Sequence, residues 1–212
     1  VASGSSLKGG TVSIVGTQEQ LNAALATTSL TQNCSSSRTV TASVTPGTDF
    51  TVLNPANGHL YSLVTSNSSS FADARAAAKA KTIPGTTGFG YLANITSDAE
   101  NTFVNTYFTA SPFIGGSDAA AEGDWYWMDG PEAGTKFFSA GAAVNNSFVK
   151  WAPNEPNNSS SAEHYAQLWG GDTWNDIAGA TTSVVEFGGM PGDDFSAFVN
   201  TSAASTVTLT TP

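Results

Sequence analysis

Apolar residues recur along this chain with two different periods. At 71–81 and from 98 to about 111, their spacing is that of an amphipathic helix. Each stretch follows a serine that can cap a helix, Ser70 or Ser97, with a carboxylate three residues later. These patterns predict two helices, and the second is expected to turn three apolar side chains inward: Phe103, Val104 and Tyr107.

Short segments with a period of two predict strands around these helices. Trp125 and Trp127 stand two residues apart, so both rings lie on one face of a strand. They are interpreted as core anchors, and a platform that stacks on a sugar is the alternative. Two helices with many short strands indicate an α+β fold. The predicted strands lie at 59–64, 91–95, 113–116, 125–128, 137–138 and 182–187.

The chain divides into three parts by composition. Residues 1–57 are predicted to form a small β-rich N-terminal unit, with strands at 11–15 and 38–44 and a short helix after Thr17. That unit is too small for an independent core. Residues 58–190 are predicted to form the main domain. Residues 191–212 form a Ser/Thr-rich tail, in which 206–210 has the character of a strand.

The charge balance excludes some classes of partner. The chain of 212 residues carries 17 acidic and 7 basic side chains, a net charge of −10, and only 11% of its residues are charged. Nucleic acid and anionic membrane surfaces need clustered basic residues, so neither is expected as a partner. No apolar run reaches 18 residues, so membrane insertion is not expected. With one cysteine, the chain forms no internal disulfide.

Oxygen-bearing side chains are concentrated in the stretch 151–176. Prolines, glycines and a Ser/Asn run interrupt any regular period there, which predicts a loop. Hard divalent cations such as calcium take six to eight oxygen ligands from carboxylates and amides. A solvated acidic loop remains the alternative. The candidate ligands are Glu155, Asn157, Asn158, Glu163, Asp172, Asn175 and Asp176.

Ordered motifs give the chain a family resemblance. FADARAAAKA, GYLANITSDAENTFV and IGGSDAAAEGDWYWMDGPEAG are followed by the tripeptides EPN and WND, in that order. Over roughly 58–187 this succession resembles a C-type lectin-like domain. The resemblance implies two helices, antiparallel sheets and a long calcium-binding loop.

The resemblance also implies a ligand set. In that family the principal calcium ion is held by five residues, which correspond here to Glu155, Asn157, Glu163, Asn175 and Asp176. The first four are also expected to bind carbohydrate, and Pro156 is expected to be cis. The order Glu-Pro-Asn goes with mannose-, glucose- or fucose-type sugars.

Two departures from the family pattern stand out. An auxiliary calcium site would use Asp118 and Glu122, but Asn158 and His164 stand where carboxylates usually lie, so this second metal site is expected to be weak or absent. The four disulfide cysteines are missing together, which resembles disulfide-free domains of bacterial secreted and cell-surface proteins. Their positions are Ala78, Tyr165, Gly179 and Val185.

Three functions compete on this basis. The first is calcium-dependent carbohydrate binding by a secreted or cell-surface, adhesin-like protein whose partners are glycans or glycoproteins. The second is a structural or protein-binding subunit that self-assembles into an adhesin or filament. The third is a glycosidase using the paired carboxylates Glu155 and Glu163. The metal-ligand assignment already explains both carboxylates, so no enzyme activity is expected.

Overall fold

The computed structural model describes residues 51–196 and 198, which form two α-helices, one short 3₁₀ helix and ten strands. The helices are α1 (Phe71–Ala80) and α2 (Asp98–Tyr107), and the 3₁₀ helix spans Ser159–Ser161. The strands are β1 (Thr51–Leu53), β2 (Leu60–Thr65), β3 (Tyr91–Leu92), β4 (Phe113–Ser117), β5 (Trp125–Trp127), β6 (Lys136–Ser139), β7 (Ala142–Ala143), β8 (Tyr165–Trp169), β9 (Thr173–Ile177) and β10 (Thr182–Phe187).

Both predicted helices form, and both serine caps are confirmed. The Ser70 side chain accepts a hydrogen bond from the amide of Asp73 at 3.4 Å, and that of Ser97 accepts one from the amide of Glu100 at 3.2 Å. These bonds satisfy amides that have no partner within the helix. The local signals therefore fixed where each helix begins.

One inward-facing prediction on α2 is wrong. Tyr107 is 41% exposed, whereas Phe108 is 2% exposed and takes the buried position. Val104 is fully buried, and residues four apart share a helix face more closely than residues three apart. The buried stripe therefore runs from Asn101 through Val104 to Phe108, the residue that follows the helix as its C-cap.

Strand β10 lies at the centre of the sheet. It pairs antiparallel with β2 along its whole length, and with β3 and β4 on its other side. The longest path through the sheet runs β1-β2-β10-β4-β5-β6-β7, with β8 joining β4 to β9. The described strand pairs are antiparallel, as expected, except that β4 meets β10 in parallel at one position, Ser183 opposite Phe113. The α+β class is confirmed.

An aromatic cluster fills the half of the core that lies behind β9. Trp125 and Trp127 are 0% and 3% exposed, so they are core anchors and the sugar-stacking alternative is wrong. Trp127 stacks on Phe137 with ring centroids 4.2 Å apart, and Trp174 meets Trp127 edge-on at 6.0 Å. Such aromatic pairs give a rigid base to the strand that carries Trp174.

The stretch predicted as one long loop contains a hairpin. Residues 151–164 are mostly irregular, but β8 and β9 pair antiparallel from Tyr165 to Ile177. Gly171 and Asp172 make the connection with positive φ angles of 70° and 60°. The loop prediction is therefore wrong for the second half of the stretch, where alternating residues such as those of TWND form a strand.

Some predictions about the ends of the chain stay open. Strand β1 precedes residue 57 and pairs with β2, and Phe195 packs against Phe187 with ring centroids 6.0 Å apart. The domain boundaries at residues 57 and 190 remain predictions. The elements predicted at 11–44 and 206–210 lie outside the described residues. Within the described ranges, no helix is long and apolar enough to cross a bilayer.

Candidate functional site

Strand β9 anchors the candidate site to the core. Its residues alternate, with Trp174 and Asp176 fully buried on one face and Asn175 half-buried on the other. The indole Nε1 of Trp174 donates to the Asn101 side-chain oxygen on α2 at 2.8 Å. Because Trp174 is fixed in this way, the two polar residues that follow it have a fixed position and direction.

The carboxylate of Asp176 holds the loop that contains Pro156. Its Oδ1 accepts the amide of Asn157 at 3.0 Å, and its Oδ2 accepts the amide of Asn158 at 2.7 Å. The peptide bond between Glu155 and Pro156 is cis, as the resemblance implied. Asp176 thus joins the Glu-Pro-Asn and Trp-Asn-Asp segments directly.

Glu155 carries an unpaired oxygen at this junction. Its Oε1 accepts the side-chain amide of Asn157 at 2.9 Å, but its Oε2 is buried without a hydrogen-bond partner in the described part of the chain. Burial raises the pKa of the Glu155 carboxyl, and the neighbouring Asp176 carboxylate raises it further. Two carboxylates in contact repel each other, and a cation between them would remove that repulsion. The donor set of carboxylate and amide oxygens fits calcium.

Asn158 connects more of the site than the sequence suggested. Besides its amide bond to Asp176, its Oδ1 accepts the amide of Glu163 at 3.1 Å, and its Nδ2 donates to Glu122 Oε2 at 2.5 Å. Its φ angle is +46°, a left-handed conformation that asparagine tolerates better than most residues. The resemblance gave Asn158 no part in the principal site. Three-way hydrogen bonding of this kind leaves no local pattern in a sequence.

The five residues predicted as ligands of the principal ion are brought together to different degrees. Glu155, Asn157 and Asp176 contact one another. Glu163 is held beside them, with its Oε2 accepting the Ser159 amide at 3.1 Å. Asn175 donates its side-chain amide to the main-chain carbonyl of Asp176. The arrangement offers carboxylate acceptors and amide donors around one small region.

A second polar cluster lies next to this region. His164 Nδ1 is 3.1 Å from Asp118 Oδ1 and 3.5 Å from Glu122 Oε2. Burial and the Asp118 charge raise the pKa of Glu122, and the charge of His164 opposes that shift. The structure therefore gathers the residues of the second predicted metal site, with histidine among them.

An open cleft borders the principal residues. It has a volume of about 430 Å³ and runs between residues 122–124, residues 138–141 and the Glu155-Pro156 pair. The residues that line it include Glu122, Asp124, Ser139 and Glu155. A ligand in contact with Glu155 therefore has room to extend along this side of the domain.

A comparison with protein families identifies the domain. Residues 67–183, more than half of the chain, match the family described as Lectin C-type domain. The chain belongs to the C-type lectin domain family. The matched region contains α1, α2 and the whole stretch from Glu155 to Asp176.

Individual relatives of this C-type lectin domain differ widely in length. It is 39% identical over 139 residues to Halomucin of Haloquadratum walsbyi, which is 65% of this chain but 2% of that protein. It is 36% identical over 101 residues to an alpha-N-acetylgalactosamine-specific lectin of Patiria pectinifera, 43% of this chain and 52% of the relative. The chain thus spans about half or less of the length of these relatives.

Solved structures include the cow C-type carbohydrate-recognition domain of CD23 with a GlcNAc2Man3 oligosaccharide. Identity to it is 22%, the TM-score is 0.45, and the alignment covers 60% of this chain and 86% of that one.

Proposed function

We propose that this C-type lectin domain binds carbohydrate through a calcium ion at the junction of its Glu-Pro-Asn and Trp-Asn-Asp segments. The observation that carries the proposal is the contact between Glu155 and the buried Asp176, with an unpaired Glu155 oxygen beside it. The side-chain oxygens that would hold the ion belong to Glu155, Asn157, Glu163, Asn175 and Asp176.

The bound ion would supply open coordination positions for two neighbouring hydroxyl groups of a sugar. The side chains around it orient those hydroxyls: the carboxylates of Glu155 and Glu163 accept hydrogen bonds, and the amides of Asn157 and Asn175 donate them. Asp176 keeps the two segments in register through its bonds to the amides of Asn157 and Asn158. Binding of this kind requires no bond to be broken, so we assign Glu155 and Glu163 to recognition and not to hydrolysis.

The sugar class follows from the order Glu-Pro-Asn. By family resemblance this order favours mannose-, glucose- or fucose-type sugars. The relative from Patiria pectinifera is named for alpha-N-acetylgalactosamine, so galactose-type sugars belong in any test. We expect the protein to act outside the cell or on its surface, as an adhesin-like lectin.

A second candidate function is a structural or protein-binding unit of a larger adhesin or filament. The similarity to Halomucin favours it, because the matched region is 2% of that protein and the domain there is one small part of a very long chain. Both candidates use the same fold, and they differ in whether a calcium-loaded chain recognises glycans.

Binding to an immobilised glycan panel separates the two candidates. In calcium, we expect binding to mannose-, glucose- or fucose-terminated glycans, and loss of that binding when a chelator is added. Asn175→Ala removes one ligand and one donor to the sugar without touching the core, so glycan binding should weaken while the melting temperature measured in chelator stays unchanged. Asn67→Ala, in an exposed turn, is the matched control and should bind normally. A calcium-loaded chain that binds nothing on the panel would favour the structural candidate.

A further inference from the structure

The cluster of Asp118, Glu122 and His164 carries an inference beyond carbohydrate binding. We propose that these three side chains form a separate site for a zinc-type divalent transition-metal ion. The family resemblance implied a weak or absent calcium site here. The geometry points to a different ion, because an imidazole nitrogen lies among the carboxylates.

The distances between the three ligand atoms suit a small tetrahedral ion. His164 Nδ1 lies 3.1 Å from Asp118 Oδ1 and 3.5 Å from Glu122 Oε2, and all three atoms lie within 4.8 Å of one another. Two ligands bound at about 2.0 Å with tetrahedral angles are separated by roughly 3.3 Å. The two nitrogen–oxygen distances bracket this value, and a zinc ion would draw the two carboxylate oxygens to a similar separation.

Neighbouring contacts hold the ligands in place. Strands β4 and β8 pair with Ser117 opposite Tyr165, which sets Asp118 and His164 side by side. The Asp118 amide donates to the His164 carbonyl at 3.2 Å. The Asp118 side chain is 1% exposed, and its Oδ2 accepts the Gly123 amide at 2.8 Å, which turns Oδ1 toward the imidazole. Such outer contacts are typical of metal ligands that are oriented in advance.

Glu122 is held on the other side of the cluster. Asn158 Nδ2 donates to the same Oε2 that faces His164, and a carboxylate oxygen has a second lone pair to offer a metal. The Glu122 side chain is 56% exposed, so an ion can enter from solvent. Three protein ligands and an open position on the solvent side match the arrangement of zinc sites that keep one exchangeable ligand.

The ligand chemistry selects the ion. Calcium prefers oxygen ligands throughout, whereas imidazole suits zinc and its neighbours in the first transition row. Two carboxylates and a neutral imidazole together carry a charge of about −2, which a divalent cation neutralises. Without a metal, a protonated His164 would serve the same purpose as an ion pair. The two cases differ in whether His164 Nδ1 binds a metal or a proton.

Zinc titration of the full chain decides between a metal site and an ion pair. Saturating calcium is kept throughout to occupy the proposed carbohydrate site, and the titration is repeated with Cys34→Ser to remove the single thiol. We expect one zinc ion to bind, with a displacement of the His164 Nδ1 resonance in the nitrogen NMR spectrum. The chain has two histidines, so His164→Gln assigns the signal directly.

Two substitutions and one control make the test specific. His164→Gln should weaken zinc binding by at least about tenfold, since even the loss of an outer contact costs roughly that much. His164→Asp replaces the imidazole nitrogen with carboxylate oxygens and should also weaken zinc binding. Asp172, a candidate ligand in the sequence, lies exposed at the turn between β8 and β9 and outside this cluster, at a positive φ that asparagine accepts, so Asp172→Asn should bind zinc like the parent. The proposal is overturned if zinc does not bind, or if His164→Gln binds it equally well. Glycan binding with Asn175→Ala is measured separately, so either proposal can fail alone.

Discussion

Asp176→Asn is expected to weaken calcium binding strongly and to loosen the loop around Pro156. Asp176 is fully buried and accepts two backbone amides, one on each oxygen. Asparagine has a single oxygen, so one amide would face an NH2 group instead of an acceptor. A buried donor without a partner costs about 1–3 kcal/mol. Loss of the charged ligand should lower the affinity for calcium by on the order of 100-fold. Even the loss of an outer contact to a ligand lowers metal affinity by roughly 10–100-fold.

Calorimetric calcium titration and thermal unfolding with and without calcium check this expectation. The parent chain should be stabilised by calcium, and the same calcium concentration should raise the melting temperature of Asp176→Asn far less. Asp172→Asn removes an equal charge four residues earlier from an exposed position and should behave like the parent. Normal calcium affinity in Asp176→Asn would show that the ion is held elsewhere.

The stability of the domain is expected to fall as the pH rises from about 5 to about 8. Glu186 is fully buried at the centre of the sheet, and this burial raises the pKa of its carboxyl to about 7. Its Oε1 lies 2.5 Å from His59 Nδ1 and accepts the Tyr61 hydroxyl at 3.1 Å. The hydrogen bond to Glu186 raises the pKa of His59 against the opposing effect of burial, and the nearby Glu100 charge acts in the same direction as that bond.

The direction of this pH dependence follows from the number of protons that Glu186 and His59 bind in the folded and in the unfolded chain. Both groups have higher pKa values in the folded chain, so between their unfolded and folded values the folded state holds protons that the unfolded state has released. The stabilisation is complete below the unfolded value of Glu186 and is lost as the pH rises through the folded values. For Glu186 alone, the change is at most roughly 3–4 kcal/mol.

Glu186→Gln removes the carboxyl that drives this dependence. Its free energy of unfolding, measured by urea titration at several pH values, should vary much less from about pH 5 to 8 than that of the parent. The parent should lose stability over the same range. Asp172→Asn serves again as the control, and its pH dependence should match that of the parent. An equally steep slope in Glu186→Gln would assign the effect to other groups.

The predictable parts of the fold are those with local causes. The caps at Ser70 and Ser97 and the strand 182–187 follow from neighbours in sequence, and the structure places them as predicted. The alternation of Trp125 and Trp127 correctly indicated a buried face. Patterns of this kind depend on the period of one element and need no knowledge of its partners.

The contacts that sequence reasoning missed join distant parts of the chain. Glu186 meets His59 across 127 positions, and Glu122 meets Asn158 across 36. Neither pair belongs to a sequence motif, because residues so far apart in sequence have no characteristic spacing. The hairpin of β8 and β9 was missed because glycines and polar residues dominate its turn. The principal ligand set came from family resemblance, since its spacing matches no short loop motif.

A crystal structure of the chain grown with calcium and a mannose-type sugar would show whether the proposed site holds the ion and the sugar. We expect one calcium ion within about 2.3–2.6 Å of side-chain oxygens of Glu155, Asn157, Glu163, Asn175 and Asp176. Two adjacent sugar hydroxyls should complete its coordination. Calcium bound away from these residues, or a sugar bound without contact to the ion, would contradict the account.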